Sequence, residues 1–327
     1  MATLRIKTSQ SCSGQFKERY FNDTDPAMLA GSGSVAGFVS VLSQQLVEIG
    51  RCRMAEIYRS TLKSFMRFRG NRGDLAFCEL DSHMAQEYEA YLRREGLCPN
   101  SSSFYMRNLR SIYNKAVDEG MAPQGNPFRR VYTGVDKTVK RAVSADVIRL
   151  IRDIDLRLHP ALDLARDLFM FSFYTRGMSF VDMAYLRKSD LRNGILSYRR
   201  RKTNRQLFVK WERQMQAIVD KYSTGDSPYL LPIIKNMETD SRRQYQNASH
   251  FVNTKLRKIG VMLGLSMPLT AYVARHGWAS IAKSKQVPVA TISEAMGHDS
   301  ETTTRIYLAS LDTAHVDRAN HLVLSAI

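Results

Sequence analysis

The chain has 327 residues, and 48 Lys and Arg against 31 Asp and Glu give it a formal charge of +17. That excess implies a polyanionic partner, most often DNA or RNA, with a merely solubilising charge as the competing reading. A hydrophobic fraction of 44% suits a real core, and no stretch approaches the roughly 18 apolar residues of a membrane span. The length suggests two domains. There is no signal-peptide core, and Cys12, Cys52, Cys78 and Cys98, scattered without CxxC spacing, read as reduced thiols of a cytoplasmic protein.

Residues 1–32 show little periodicity and run into the Gly/Ser-rich stretch Gly31–Ser34, so they are read as a mobile leader. Helical spacing begins at residue 33. Val35, Phe38, Val39, Leu42, Leu46 and Ile49 form one apolar stripe, and Tyr58, Leu62, Phe65 and Met66 form a second. Met84, Tyr88, Tyr91 and Leu92 make a third, ended by Gly96 and Pro99. A fourth helix is predicted to open in the serine cluster Ser101–Ser103 and to bury Met106, Leu109, Ile112, Tyr113 and Ala116. Arg107, Arg110 and Lys115 lie on its other faces. Residues 33–121 thus read as a small all-α bundle.

A Pro/Gly-rich break, MAPQGNPF, opens an interdomain linker assigned to 122–143. It carries Arg129, Arg130, Lys137, Lys140 and Arg141 against the single acid Asp136, which suits a linker lying on phosphates as well as a solvated one. The second domain, 144–327, starts near Ser144, read as a helix cap. Its helical pattern is broken once, by two short strands, Ile195–Arg200 and Leu207–Trp211, around a turn at Lys202-Thr203-Asn204. Six basic residues and no acid lie between Arg199 and Lys210. The fold class is mostly α.

Neither HExxH nor a paired Cys/His set is present, and GxxxxGK[ST] and GxGxxG are both missing, so no metal, nucleotide or other cofactor is expected. What stands out is Met296–Tyr307, MGHDSETTTRIY. Taken alone, Gly-His-Asp-Ser is equally a helix cap and Tyr307 an ordinary aromatic. Arg275, in LTAYVARHGWAS, lies 23 residues before His298; further upstream come Lys202 and then Arg176, in FYTRGMSFVDMAYL. This ordered set resembles the tyrosine recombinase (phage integrase) family: an arginine, a hairpin lysine, an HxxR-like box, a GH-x-TT box, and a tyrosine nine residues after the histidine.

The resemblance implies a helical core-binding (SAM-like) domain and a mainly α catalytic domain with a small β-hairpin, closing as a clamp on duplex DNA. It implies that Tyr307 attacks a phosphodiester to give a 3′-phosphotyrosine, with strands exchanged through a Holliday junction and no need for metal or ATP. Arg275 and Arg176 would bind the non-bridging oxygens, Lys202 would protonate the leaving 5′ oxygen, and His298 would bond the phosphate or orient Tyr307. Two positions depart from the pattern. Tyr272 stands where the box usually has histidine and is read as a hydrogen-bond donor. Ser179 stands at the usual arginine place, three residues before Asp182, with Arg176 three residues earlier; Arg200 or Arg201 is the competing supplier of that charge. If helical, Arg176 and Ser179 would share a face, whereas Gly177, a residue type that often ends a helix, would allow a turn instead.

Similar RGM-x-FVDM variants occur in bacterial mobile-element recombinases, which points to inversion or integration. Double-stranded DNA target sites are the expected partner, met by Arg107, Arg110, Lys115, Arg129, Arg130, Lys140, Arg141, Arg200, Arg201 and Arg205. Further expected partners are three more copies of the chain, through a tail after Tyr307, and accessory DNA-bending proteins on the nucleoid. The alternatives are a type IB topoisomerase-like relaxing enzyme and a non-catalytic DNA-binding protein of the same fold.

Overall fold

The structure, a computed structural model, describes residues 33–136, 143–222, 224–309 and 324–325. The chain divides into two compact units, Met1–Asp136 and Lys137–Ile327. The predicted leader, Lys137, Lys140 and Arg141 of the linker, and nearly all of the tail after Ala309 lie outside the described residues.

The first unit contains α1 (Val35–Glu48), α2 (Cys52–Arg69), α3 (Ser82–Arg94) and α4 (Pro99–Asp118). The apolar stripes explain why they assemble. Val35, Phe38, Val39, Leu42 and Leu46 of α1 meet Tyr58, Leu62 and Phe65 of α2, Tyr88 and Leu92 of α3, and all five predicted residues of α4 in one core. Full burial of an aromatic such as Phe65 contributes about 2–3 kcal/mol. Ile49 falls just past the end of α1 and is exposed.

Two expectations are corrected here. The serine cluster does not cap α4: the helix opens at Pro99, whose missing N–H costs nothing at that position, and Ser102 and Ser103 are buried within it. Ser103 Oγ donates instead to the Gly134 carbonyl at 2.5 Å. The first half of the predicted linker also belongs to this unit, because its apolar side chains Phe128 and Val131 complete the core. Tyr113 Oη donates to Pro123 O at 2.8 Å, and the Glu89 carboxylate accepts the Tyr132 N–H at 3.0 Å.

The second unit opens with α5 (Ala145–Asp153), capped by Ser144, whose Oγ accepts the Val147 N–H. Its central helix is α6 (Pro160–Tyr174), where the run from Asp167 to Ser172 is buried without interruption, as a helix enclosed on all sides must be. Around it come α7 (Phe180–Ala184), α8 (Arg213–Lys221), α9 (Ser241–Met262) and α10 (Ala271–Ser284). The last two described helices are α11 (Val289–Met296) and α12 (Glu301–Ala309). Ile292, Met296 and Leu308 pack with Ala279 and Ala282 of α10 in a satellite core.

The hairpin is a three-stranded antiparallel sheet of β1 (Leu191–Arg192), β2 (Ile195–Arg199) and β3 (Gln206–Lys210). Two residues of β1 are too few to show a period in sequence, and the other strand ends shift by one residue. Leu196 pairs with Val209 and Tyr198 with Leu207, and these four side chains face inward; Ile195, Arg199 and Phe208 are exposed. Arg200 continues the ladder by donating its N–H to Arg205 O at 2.8 Å.

Candidate active site

Arg275 lies on α10 and is 4% exposed. Its Nη1 donates to Gly177 O at 2.8 Å, and its Nη2 to Met296 O at 2.7 Å and to His298 Nε2 at 3.0 Å. Gly177 has φ +74°, and a Cβ there would stand 2.7 Å from the Arg275 Cα, so both conformation and space require glycine. α11 ends at Met296, and Gly297 caps it in the left-handed region at φ 63°, ψ 41°.

That cap delivers His298 to the site. A guanidinium can only donate, so Nε2 of His298 is the acceptor, and Nδ1–H donates to Thr304 Oγ1 at 2.7 Å. Burial pushes the imidazole down to about 4, and the cations of Arg275, Arg200 and Lys202 push the same way. His298 is therefore neutral at neutral pH. Thr304 is fully buried on α12, and Tyr307 follows one turn further along that helix. The histidine thus bridges the arginine on α10 to the helix that carries the tyrosine.

The hairpin completes the cluster. Arg200 is 7% exposed and donates Nη1 to Gly297 O at 2.6 Å; Arg205 donates Nη1 to His298 O at 2.6 Å. With Arg275 on Met296, three successive carbonyls at the end of α11 each receive one arginine. Helix-end carbonyls carry partial negative charge, which holds cations without neutralising them. Lys202 is exposed at the turn. Beneath the turn, buried Asp182 accepts the Arg201 N–H at 2.9 Å and the Ser179 hydroxyl at 2.6 Å.

Of the two conformations open to this stretch, helix or turn, Arg176 adopts the turn. α6 stops at Tyr174, and Arg176 sits on the following turn with φ 62°, so it does not share a helix face with Ser179. Its Nη1 donates to Phe208 O of β3 at 3.2 Å. Tyr272 is 54% exposed, with its ring edge-on to His276 at 4.6 Å. It lines one cleft with Ser179, Asn253, Arg257 and Arg275. Arg201 lays its guanidinium 3.9 Å over the Tyr185 ring. In the first unit, Lys115, Arg129 and Arg130 are exposed, Arg107 is half-buried, and Arg110 donates to Thr133 Oγ1 at 3.2 Å.

Residues 35–133 match the phage integrase SAM-like domain, and residues 145–314 match the phage integrase family. The chain belongs to the phage integrase family. Its members are tyrosine recombinases, site-specific DNA strand-exchange transesterases, and that is the function class of this chain. The tyrosine recombinase XerC of Yersinia pestis is 24% identical over 269 residues, 79% of this chain and 84% of the relative. A lambda integrase dimer bound to a COC′ core site superposes with a TM-score of 0.63 at 17% identity, covering 83% of this chain and 97% of that one. A lambda integrase tetramer bound to a Holliday junction gives 0.61 at 14% identity, covering 88% and 84%.

Sequence reasoning missed Thr304, Asp182 and Gly177 as parts of the site. Thr304 was visible as the last threonine of TTT before Arg305. Gly177 acts through backbone approach, which leaves no local pattern, and Asp182, read in sequence as a register mark, acts through a contact 19 residues away.

Proposed function

We propose that this recombinase cleaves and rejoins duplex DNA through Tyr307, in a site whose charge is supplied by arginines held on backbone carbonyls. The observation that carries the reading is the chain from Arg275 through neutral His298 to Thr304, which fixes a buried guanidinium relative to the helix bearing Tyr307. The Tyr307 oxygen forms a bond to phosphorus as the bond to the 5′ oxygen breaks. The phenolic proton leaves to solvent and Lys202 supplies one to the 5′ oxygen, so one hydroxyl is exchanged for another. Arg275 stabilises the charge on the non-bridging oxygens, and the Tyr272 hydroxyl donates to the same phosphate. His298 keeps Arg275 oriented.

At protein scale, four copies exchange strands through a Holliday junction on target sites in the nucleoid of a bacterial cytoplasm, within a mobile element that inverts or integrates. Accessory DNA-bending proteins assist where sites are spaced apart. Arg107, Arg110, Lys115, Arg129, Arg130, Lys140, Arg141, Arg201 and Arg205 contact the flanking phosphates.

The test is to sequence DNA covalently trapped on the protein in cells, and then to place two copies of that sequence on one plasmid. The expected result is recombination between the copies. Relaxation without recombination would identify a relaxing enzyme, and binding without covalent trapping a non-catalytic DNA-binding protein.

A further inference from the structure

Ser179 lines the cleft with Arg275 and Tyr272, yet its hydroxyl is bonded to Asp182 and it brings no cation there. A dianionic phosphorane developing between Tyr307 and the 5′ oxygen needs more than one guanidinium when no metal assists. Resting on the transesterase reading above, we infer that Arg200 is a catalytic residue, the second guanidinium that binds the scissile phosphate beside Arg275.

Four observations select Arg200 from the run Arg199–Arg201. The first is the strand period. Leu196 and Tyr198 face inward, so Arg200 shares their buried face while Arg199 is turned out. Arg201, one further on, is packed over the Tyr185 ring. The second is its electrostatic state. Arg200 makes no ion pair among the described residues; its Nη1 is held by a neutral carbonyl, and its buried Nε has no hydrogen-bond partner. A buried guanidinium without a carboxylate is costly to the fold unless an anion joins it, and the scissile phosphate of the proposed reaction is such an anion.

The third observation is position. Arg200 and Arg275 are tied to adjacent carbonyls of one helix end, Gly297 and Met296, so the two guanidiniums are fixed to the same three-residue segment. Gly297 makes that approach possible, because a Cβ there would stand 3.2 Å from Arg200 Cδ and 2.9 Å from Leu207 Cδ1. The fourth is support. The Asp182 carboxylate grips the Arg201 N–H, which fixes the strand end that carries Arg200. Arg176 has no comparable setting, being half-exposed and bonded to Phe208 O on β3. The competing structural role, a plain cap on α11, makes a different prediction when the substrate's charge is altered.

The experiment uses the full chain in single-turnover cleavage of suicide duplexes carrying either the native phosphodiester or a methylphosphonate at the scissile position. The methylphosphonate lacks one anionic oxygen, so its transition state does not need the second guanidinium. On the phosphodiester, Arg200→Ala is expected to cleave about 10²-fold or more slowly than wild type, and Arg200→Lys nearly as slowly, because an ammonium lacks the planar fork. On the methylphosphonate both variants are expected to approach the wild-type rate. Wild-type cleavage of the phosphodiester by Arg200→Ala would overturn the assignment. So would equal losses on both substrates by an Arg200→Lys protein that melts like wild type, or rescue confined to Arg176→Ala. Failure of wild type itself to form a covalent product would instead refute the transesterase reading on which the assignment rests.

Discussion

The second unit holds two partly buried charged clusters, and they are built on opposite principles. Between α6 and α8, Arg166 donates to both Asp163 and Asp167, Lys221 bonds both carboxylates at 2.5 and 2.7 Å, and Tyr222 Oη donates to Asp167 at 2.8 Å. Two cations meet two anions, and burial with the Asp167 bond pushes the Tyr222 phenol upward. At the end of α11, by contrast, Arg200, Arg205 and Arg275 are bonded to carbonyls, and the nearby Asp182 directs its oxygens to the Arg201 N–H and Ser179 Oγ. The first cluster is electrically closed and fastens one helix to another. The second places three arginine bonds on neutral backbone carbonyls. A net charge of +17 does not distinguish these two kinds of arginine, whereas the nature of their acceptors does.

The comparison can be broken at either cluster. The largest effect is expected from Arg275→Ala, which should slow single-turnover DNA cleavage about 10³-fold while leaving DNA affinity within a few-fold of wild type. In the closed cluster, Asp167→Ala leaves Arg166 and Lys221 short of a partner and should cost about 3 kcal/mol of stability. Denaturant titration measures that loss, and cleavage per folded molecule should stay unchanged; a fall in the intrinsic rate would mean that the two clusters are not separate. Tyr272→Phe is expected to slow cleavage about 10²-fold with binding nearly intact, and wild-type cleavage would make Tyr272 a packing residue only.

The smallest effect is a pH slope. His298 has its pKa depressed from 6.5 to about 4, so below 6.5 the unfolded chain takes up a proton that the folded chain does not. Its contribution to stability should be level above pH 7 and fall between pH 6.5 and 4, by at most about 1.4 kcal/mol per unit. His298→Gln should flatten that slope in melting curves recorded across the range. An unchanged slope would remove His298 as its source.

The architecture was readable from periodicity because burial acts on it directly: every inward residue predicted for α4 is buried. The hairpin was readable for the same reason, while β1 was too short and the linker's first half hid its apolar anchors Phe128 and Val131 among prolines and glycines. In the site, Arg275, His298, Lys202 and Tyr307 were singled out because their ordered boxes resemble the family's, and Arg275 and His298 meet in the structure. Sequence left Arg176 open between a helix face and a turn at Gly177, and the structure has the turn, a left-handed residue followed by Gly177 between α6 and α7. Arg200 was read, with Arg201, as a competing supplier of the missing charge, and alternation from Leu196 through Tyr198 favours it of the two. The carbonyl fan at Met296–His298 was not, because backbone acceptors have no residue letter.

The central claim, that Tyr307 performs a metal-free transesterification at this cluster, is tested most directly by trapping. A suicide duplex carrying the target site is incubated with protein in excess EDTA, and the covalent product is digested and sequenced by mass spectrometry. The account predicts a 3′-phosphotyrosyl adduct on the peptide containing Tyr307, and none with Tyr307→Phe, which should still bind the duplex. An adduct formed by Tyr307→Phe, or one mapped to another residue in wild type, would contradict it.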